Sequence, residues 1–372
     1  MKIKTITCHN VYNAGASLQA YALAEYLNSI GHECQIIDYK PDYLKHYKLS
    51  GVSNSRYDKP VLRELYNMAK FPGRLKAKYS NKKKEYDRFT ADFLPTTTET
   101  YTSNEELKSN PPEADIFFAG SDQIWNSFFN NGKDPAFYLD FAPLGTVKAS
   151  YAASFATENI VTELKPQIKE WLSNMDYISV RESSGLNILN DLGIQEAVQV
   201  LDPVFLLPKE KWESIIEYTA GNDSYILLYD FDKNEQLGLA ARELAHKNGW
   251  KVYSYLDNPY CDRCFKNAGP RAFLGLIKNA EMVISNSFHA TAFSLIFEKN
   301  FWVINRKEAI NTRMRDLTSL VGVPERFLND TDIDLLIPIN YETVNQNISR
   351  ELKNSKLFID YVIKEANKKL DR

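Results

Sequence analysis

Short apolar runs alternate with longer stretches in which apolar residues recur every three or four positions, and this alternation persists along most of the chain. KIKTIT (2–7) predicts a strand. After the small-residue turn NAGAS, SLQAYALAEYLNSIG places Leu18, Tyr21, Ala22, Leu27 and Ile30 at helical spacing, with a stop at Gly31. ECQIIDY predicts the next strand. A β-α-β unit with a short polar strand-to-helix turn presents its binding groups at the carboxyl ends of parallel strands.

Residues 43–93 break the pattern. Lys, Arg and Tyr are dense there, as in LKAKYSNKKKEYDRF, and apolar positions are sparse, which predicts mobile helices projecting from the first domain with a solvated basic face. Contact with anionic lipid or a polyanionic acceptor is the functional alternative. PTTTETYTS reads as a bend, and ADIFFAGSDQIWN as a buried strand whose tip carries Gly120, Ser121, Asp122 and Gln123. KASYAASF and the start of YISVRESSGLNILNDLG are further strands, the second ending in Arg181 and Glu182 before a helix; VLDPVFLLP closes the first half. From SYILLYDF a fresh series of strands and helices begins, and it runs through EMVISNS, HATAFSLIFEKN and FWVIN. The economical architecture is α/β: two β/α (Rossmann-like) domains facing a cleft, residues 1–210 with the insertion at about 43–93, and residues 211–372 ending in a helical tail.

Composition narrows the function. A chain of 372 residues, 44% hydrophobic and 25% charged, with a net charge of −3, has the length for two domains and no global basic balance that would favour nucleic acid. The N-terminus lacks an apolar signal-peptide core and no segment approaches the ~18 apolar residues of a membrane span, so a cytoplasmic location is expected. Four cysteines suit a reducing compartment, and Cys261 and Cys264 supply only half of a zinc site; no metal is expected.

Polar groups collect at strand tips. His289, in NSFHATAFSLIF, follows a buried strand and starts a helix, with Ser285, Asn286 and Ser287 before it as caps or anion ligands. An isolated histidine is more often structural, but the strand-tip position favours a role in a site. Asn13 and Gln19 flank the first turn, Ser121, Asp122 and Gln123 end another strand, and Arg181 ends a third. A turn capped by Asp122, or pairing of Arg181 with Glu182, are the structural alternatives. Arg181, with Arg313 or Arg306, would offer planar donors matched to carboxylate and phosphate, which suggests an anionic substrate carrying both.

The chain resembles the polysaccharide pyruvyl transferases. The residues that carry the resemblance are Asn13 to Leu23, GSDQIWN (120–126), SVRESSG (179–185), LDPVFLL (201–207), NSFHATAFSLIF (286–297) and NTRMRDL (311–317), in an order spanning residues 5 to 328. The resemblance implies a fold similar to the GT-B glycosyltransferases and an enzyme that moves pyruvate from phosphoenolpyruvate onto sugar hydroxyls of a cell-surface polysaccharide or its lipid-linked precursor, as a cyclic ketal, with release of phosphate. It places the donor mainly against the second domain and the acceptor against the first. Arg181 falls on the family's strand-end arginine, a donor contact, and His289 on its histidine, a general acid or phosphate ligand. Many members carry arginine where this chain has Ser287; Arg313 or Arg306 would then supply the missing anion contact.

On this reading His289 protonates the donor's methylene carbon and Asp122 is the base toward the sugar hydroxyl. Arg181, Asn286, Ser287, Arg306 and Arg313 bind the donor, while Asn13, Gln19, Ser121, Gln123 and Trp125 bind the acceptor. Phosphoenolpyruvate is a co-substrate and no cofactor is required. The partners are then phosphoenolpyruvate and a sugar or lipid-linked oligosaccharide, with no nucleic acid. Residues 61–88, with Val61, Leu62, Leu65, Met68 and Phe71 ahead of lysines, would touch the inner face of the membrane. A GT-B glycosyltransferase using a nucleotide sugar, and a family member without activity, are the rival readings; the turn NAGAS lacks the Gly-rich spacing that cradles a diphosphate.

Overall fold

The computed structural model of the chain describes residues 1–45, 64, 68–73, 79–217, 221–307, 311–328 and 338–370. The first sheet contains β1 (Lys2–Ile6), β2 (Glu33–Tyr39), β3 (Thr96–Tyr101), β4 (Ile116–Ala119) and β5 (Val147–Ser150), all parallel and in the order β3-β2-β1-β4-β5. A short pair, β6 (Ser179–Val180) and β7 (Val198–Gln199), continues it through bridges from Ala149 to Tyr177 and from Ala153 to Val180. The second sheet is also parallel. Its strands β8 (Tyr225–Tyr229), β9 (Lys251–Ser254), β10 (Arg263–Cys264), β11 (Met282–Ser285), β12 (Asn300–Ile304) and β13 (Phe327–Leu328) lie in the order β10-β9-β8-β11-β12-β13. In each sheet the strand order reverses at the first strand, so a crevice opens between β1 and β4 and another between β8 and β11.

The helices follow the sequence pattern with instructive exceptions. Helix α1 (Ala14–Ser29) is buried at every position from Ala14 to Ala24, because its Ala-rich surface lies between the first sheet and the second lobe. TTTETY forms edge strand β3 rather than a bend: its β-branched residues suit a strand, and only Thr97 and Tyr101 are buried, which leaves too little apolar signal to see. In the basic insertion, helix α2 (Asn81–Phe93) is docked and not projecting, since Tyr86 and Phe89 are buried and Tyr86 Oη lies 3.1 Å from Tyr255 Oη in the second lobe. Val61, Leu62 and Leu65 lie outside the described residues; Met68 and Phe71 are exposed.

Further helices, in chain order, are α3 (Asn104–Ser109), α4 (Lys165–Ser173), α5 (Ser183–Asp191), α6 (Lys209–Ser214), α7 (Glu235–Asn248), α8 (Pro270–Lys278), α9 (Phe288–Ile296), α10 (Thr312–Leu320) and α11 (Tyr341–Leu370). One apolar core joins the lobes: Tyr21 of α1 meets Trp212 of α6, which meets Phe293 of α9 at 4.9 Å between ring centroids. Helix α11 returns to the first lobe instead of ending in the second. Its Ser355 Oγ accepts from Leu201 N at 2.9 Å and Tyr361 packs edge-on against Tyr177.

Candidate functional site between the lobes

Strand tips from both lobes converge on one nearly sealed cluster. At its centre is Asp202, just past β7, where VLDPVF turns into a short 3-10 helix: Oδ1 accepts from Val204 N at 3.1 Å. Oδ2 accepts from Arg181 Nη1 at 2.5 Å and from Ser121 Oγ at 3.2 Å, and lies 3.7 Å from His289 Nε2. Asp122 Oδ1 is 3.5 Å from Arg181 Nη2 and 3.9 Å from Arg313 Nη1. The Arg181 guanidinium lies over the Phe288 ring, its central carbon 4.2 Å from the ring centroid. His289, Arg181 and Arg313 are only 7%, 5% and 6% exposed.

The imidazole is held against the first lobe by a missing side chain. A Cβ on Gly15 would lie 2.0 Å from His289 Nδ1, so glycine is what lets the first turn of α1 meet the first turn of α9. Three non-glycine residues around the cluster, Asp122, Ala152 and Ala156, have φ of 70°, 51° and 63°. Left-handed backbone is unfavourable for such residues, and it persists where surrounding contacts over-determine it.

Electrostatics assigns protonation. Burial holds His289 below the ordinary imidazole value, with Asp202 and Asp122 offsetting it only in part, so the ring is neutral at pH 7. Burial alone would raise Asp122, but Arg181, with His289 and Arg313, outweighs it and keeps the carboxylate ionised. Burial alone would lower Arg181, but Asp202, Asp122 and Glu182 overcome it and raise the guanidinium; Arg313 is pulled down to about 10 by burial and by Arg181. Burial pushes Glu182 up although Ser154 Oγ and Ala156 N donate to its Oε1 at 2.8 and 3.0 Å. The acids nearly balance the arginines in charge. What the cluster still offers is directed hydrogen bonding: His289 Nε2, Arg181 Nε and Nη2, and Arg313 Nε are buried and make no hydrogen bond among the described residues.

Of the residues singled out from sequence, the fold brings together His289, Asp122, Arg181, Arg313, Ser121 and Gln123. With its amide oxygen turned to Arg313, Gln123 accepts from both Nη atoms at 3.1 and 3.2 Å. Others are spent elsewhere. Gln19 is a buried brace, donating to Thr7 Oγ1 and Ala16 O and accepting from Ser121 N. Asn13 caps α1, and Ser287 caps α9. Asn286 is turned inward, its Nδ2 donating to Asp230 at 2.7 Å and its Oδ1 accepting from Phe231 N, so it anchors the loop after β8. Arg306 lies on the ring of Phe231 at 4.6 Å. Trp125 has no exposed surface; it stacks on Tyr138 and donates to Phe137 O, so its ring is packed in the first lobe and not open to the seam. Asp202 drew no role from sequence, and Glu182 only that of a pairing partner for Arg181, from which its Oε2 lies 3.8 Å. The signal for Asp202 was a lone carboxylate within the apolar run VLDPVFLL.

The fold and this cluster define a two-lobed, GT-B-like α/β protein with its polar centre between the lobes. The chain belongs to the polysaccharide pyruvyl transferase family, whose model matches residues 13–308. No curated protein matches the sequence. Among solved structures, a protein assigned as a UDP-N-acetylglucosamine 2-epimerase from Listeria monocytogenes superposes with a TM-score of 0.53 at 11% identity, over 96% of this chain and 89% of that one. The S. aureus MnaA–UDP co-structure superposes with a TM-score of 0.50 at 12% identity and the same coverage. At these identities the likeness concerns fold alone. E. coli heptosyltransferase WaaC with ADP is more distant, at a TM-score of 0.41 and 12% identity over 94% of this chain and 100% of that one.

Proposed function

We propose that the protein transfers pyruvate from phosphoenolpyruvate to a sugar of a polysaccharide or its lipid-linked precursor, forming a ketal and releasing phosphate. The observation that carries this reading is the convergence of unfilled hydrogen-bonding nitrogens, guanidinium donors on Arg181 and Arg313 and a ring nitrogen of His289, in one buried spot. Two guanidiniums suit a small substrate bearing both a carboxylate and a phosphate. Family membership supports the transferase chemistry.

The neutral imidazole refines the mechanism. At neutral pH His289 is better placed to accept the proton of the attacking hydroxyl than to arrive charged. It then passes that proton to the methylene carbon, so that O–H adds across the C=C bond: oxygen bonds to the central carbon and methylene becomes methyl. A second hydroxyl then attacks the same carbon, the C–O bond to phosphate breaks, and phosphate leaves with that hydroxyl's proton as the ketal closes. Asp122, kept ionised by the neighbouring arginines, is a weak base and serves to position them. Among the described residues no group of His, Cys, Asp and Glu is arranged to hold a metal, and no helix is long and apolar enough to cross a membrane. Contact with a membrane surface through the region of Met68 and Phe71 belongs to this proposal as a route to a lipid-linked acceptor.

The test is phosphate release from phosphoenolpyruvate by the purified full chain across a panel of glycosides, with mass spectrometry for a product that gains pyruvate less water. A ketal product is expected. Stabilisation by a nucleotide sugar with none by phosphoenolpyruvate would overturn the reading.

A further inference from the structure

Beside the buried cluster a cavity of about 330 Å³ opens along the seam between the lobes. The first lobe contributes Phe128, Thr157, Glu158 and Asn159, and the second contributes Thr312 and Arg315. We propose that this cavity is the acceptor subsite and takes one neutral hexopyranose unit, an assignment that rests on the pyruvyl-transfer reading only for what happens to the sugar.

Position comes first. At the seam, Thr312 Oγ1 donates to Ala156 O at 3.3 Å, which ties the two walls together. Thr312 is the residue next to Arg313, and Ala156 N donates to Glu182, the neighbour of Arg181. A sugar in the cavity therefore sits beside residues that adjoin the cluster from both lobes.

The lining is chemically suited to a sugar. Phe128 is 58% exposed, and its ring offers an apolar face that a pyranose C–H face would cover. The exposed Asn159 amide can both donate to and accept from a hydroxyl. Glu158 and Arg315 face each other across the seam at 3.7 Å, with side chains 66% and 53% exposed. Such a pair is weakly held and free to re-form onto hydroxyls. Its charges cancel, which favours a neutral ring over an acidic one. The volume lies at the low end of small-molecule pockets, which is enough for a monosaccharide unit.

The experiment is saturation-transfer NMR on the full chain with methyl glycosides of galactose, glucose, mannose and N-acetylglucosamine, with and without phosphoenolpyruvate. At least one glycoside is expected to bind saturably to the unmodified protein. F128A should weaken it about 3- to 10-fold, N159A should weaken it as well, and both should leave the melting temperature unchanged. No saturable glycoside binding, or binding unaffected by both substitutions, overturns the subsite. Thermal shift by phosphoenolpyruvate is read separately: its absence defeats the donor assignment, while the glycoside result still decides the cavity.

Discussion

At the scale of single residues the site depends on a neutral histidine and a buried carboxylate hub. His289→Ala should lower turnover about 10²- to 10⁴-fold, measured by phosphate release, because the proposed mechanism would lose its proton relay and keep the two arginines proposed to hold the donor. Its lowered pKa gives a signed pH effect. As pH falls below about 6.5 the unfolded chain takes up a proton before the folded one does, so His289's contribution to stability is present above that pH and is lost below it. Protonation in the folded enzyme should produce an acid limb in kcat/KM that sets in below the ordinary imidazole range, with a flat profile from about 7 to 8; a loss setting in above neutrality would contradict a neutral starting imidazole. Asp202→Asn should be costlier for the fold, about 3 kcal/mol in denaturant unfolding, because Arg181 then keeps only Asp122 and Glu182 at 3.5 and 3.8 Å.

At the scale of elements the decisive contact is helix end against helix end. Gly15→Ala places a methyl 2.0 Å from His289 Nδ1, and the partner that must give way there is the ring proposed to carry the proton. We expect most turnover to disappear with the circular dichroism spectrum intact; a G15A enzyme of normal kcat would show that the ring has another productive position. Edge strand β3 and docked helix α2 make a related point. Thr-rich TTTETY and Lys-rich NKKKEYDRF carry too few apolar residues to reveal their packing, yet Tyr101, Tyr86 and Phe89 find buried positions once the neighbouring elements are in place. Their role comes from tertiary contact, and periodicity alone could not supply it.

For the whole molecule, the shared core restricts how a ligand enters. Tyr21, Trp212 and Phe293 join α1, α6 and α9, and Tyr86 Oη lies 3.1 Å from Tyr255 Oη across the lobes, so wide separation of the lobes would expose a continuous apolar surface. Access should come by local motion near Thr312 and Arg313. Saturating phosphoenolpyruvate is expected to leave the radius of gyration unchanged in X-ray scattering while slowing hydrogen exchange over residues 311–316. A marked compaction would instead indicate closure of the lobes as bodies.

The alternation of strand and helix, legible in apolar spacing, determined two parallel sheets. It also put His289, Arg181 and Asp122 at strand tips, because short polar turns after parallel strands leave their polar groups at one edge. It could not determine which tip groups face the seam. Asn286, Ser287 and Gln19 have the same residue chemistry as ligand contacts, but their hydrogen-bonding capacity is used by Asp230, Ala290 N and Ser121 N, partners that only the folded chain brings near. Asp202 is the converse case: a carboxylate in an apolar run becomes the hub because Arg181, Ser121 and His289 arrive from 21, 81 and 87 positions away in sequence. Local pattern records a residue's preference for helix, strand or turn; which long-range partner consumes its polar atoms is decided by tertiary packing, where an unfilled buried group is costly and most are filled.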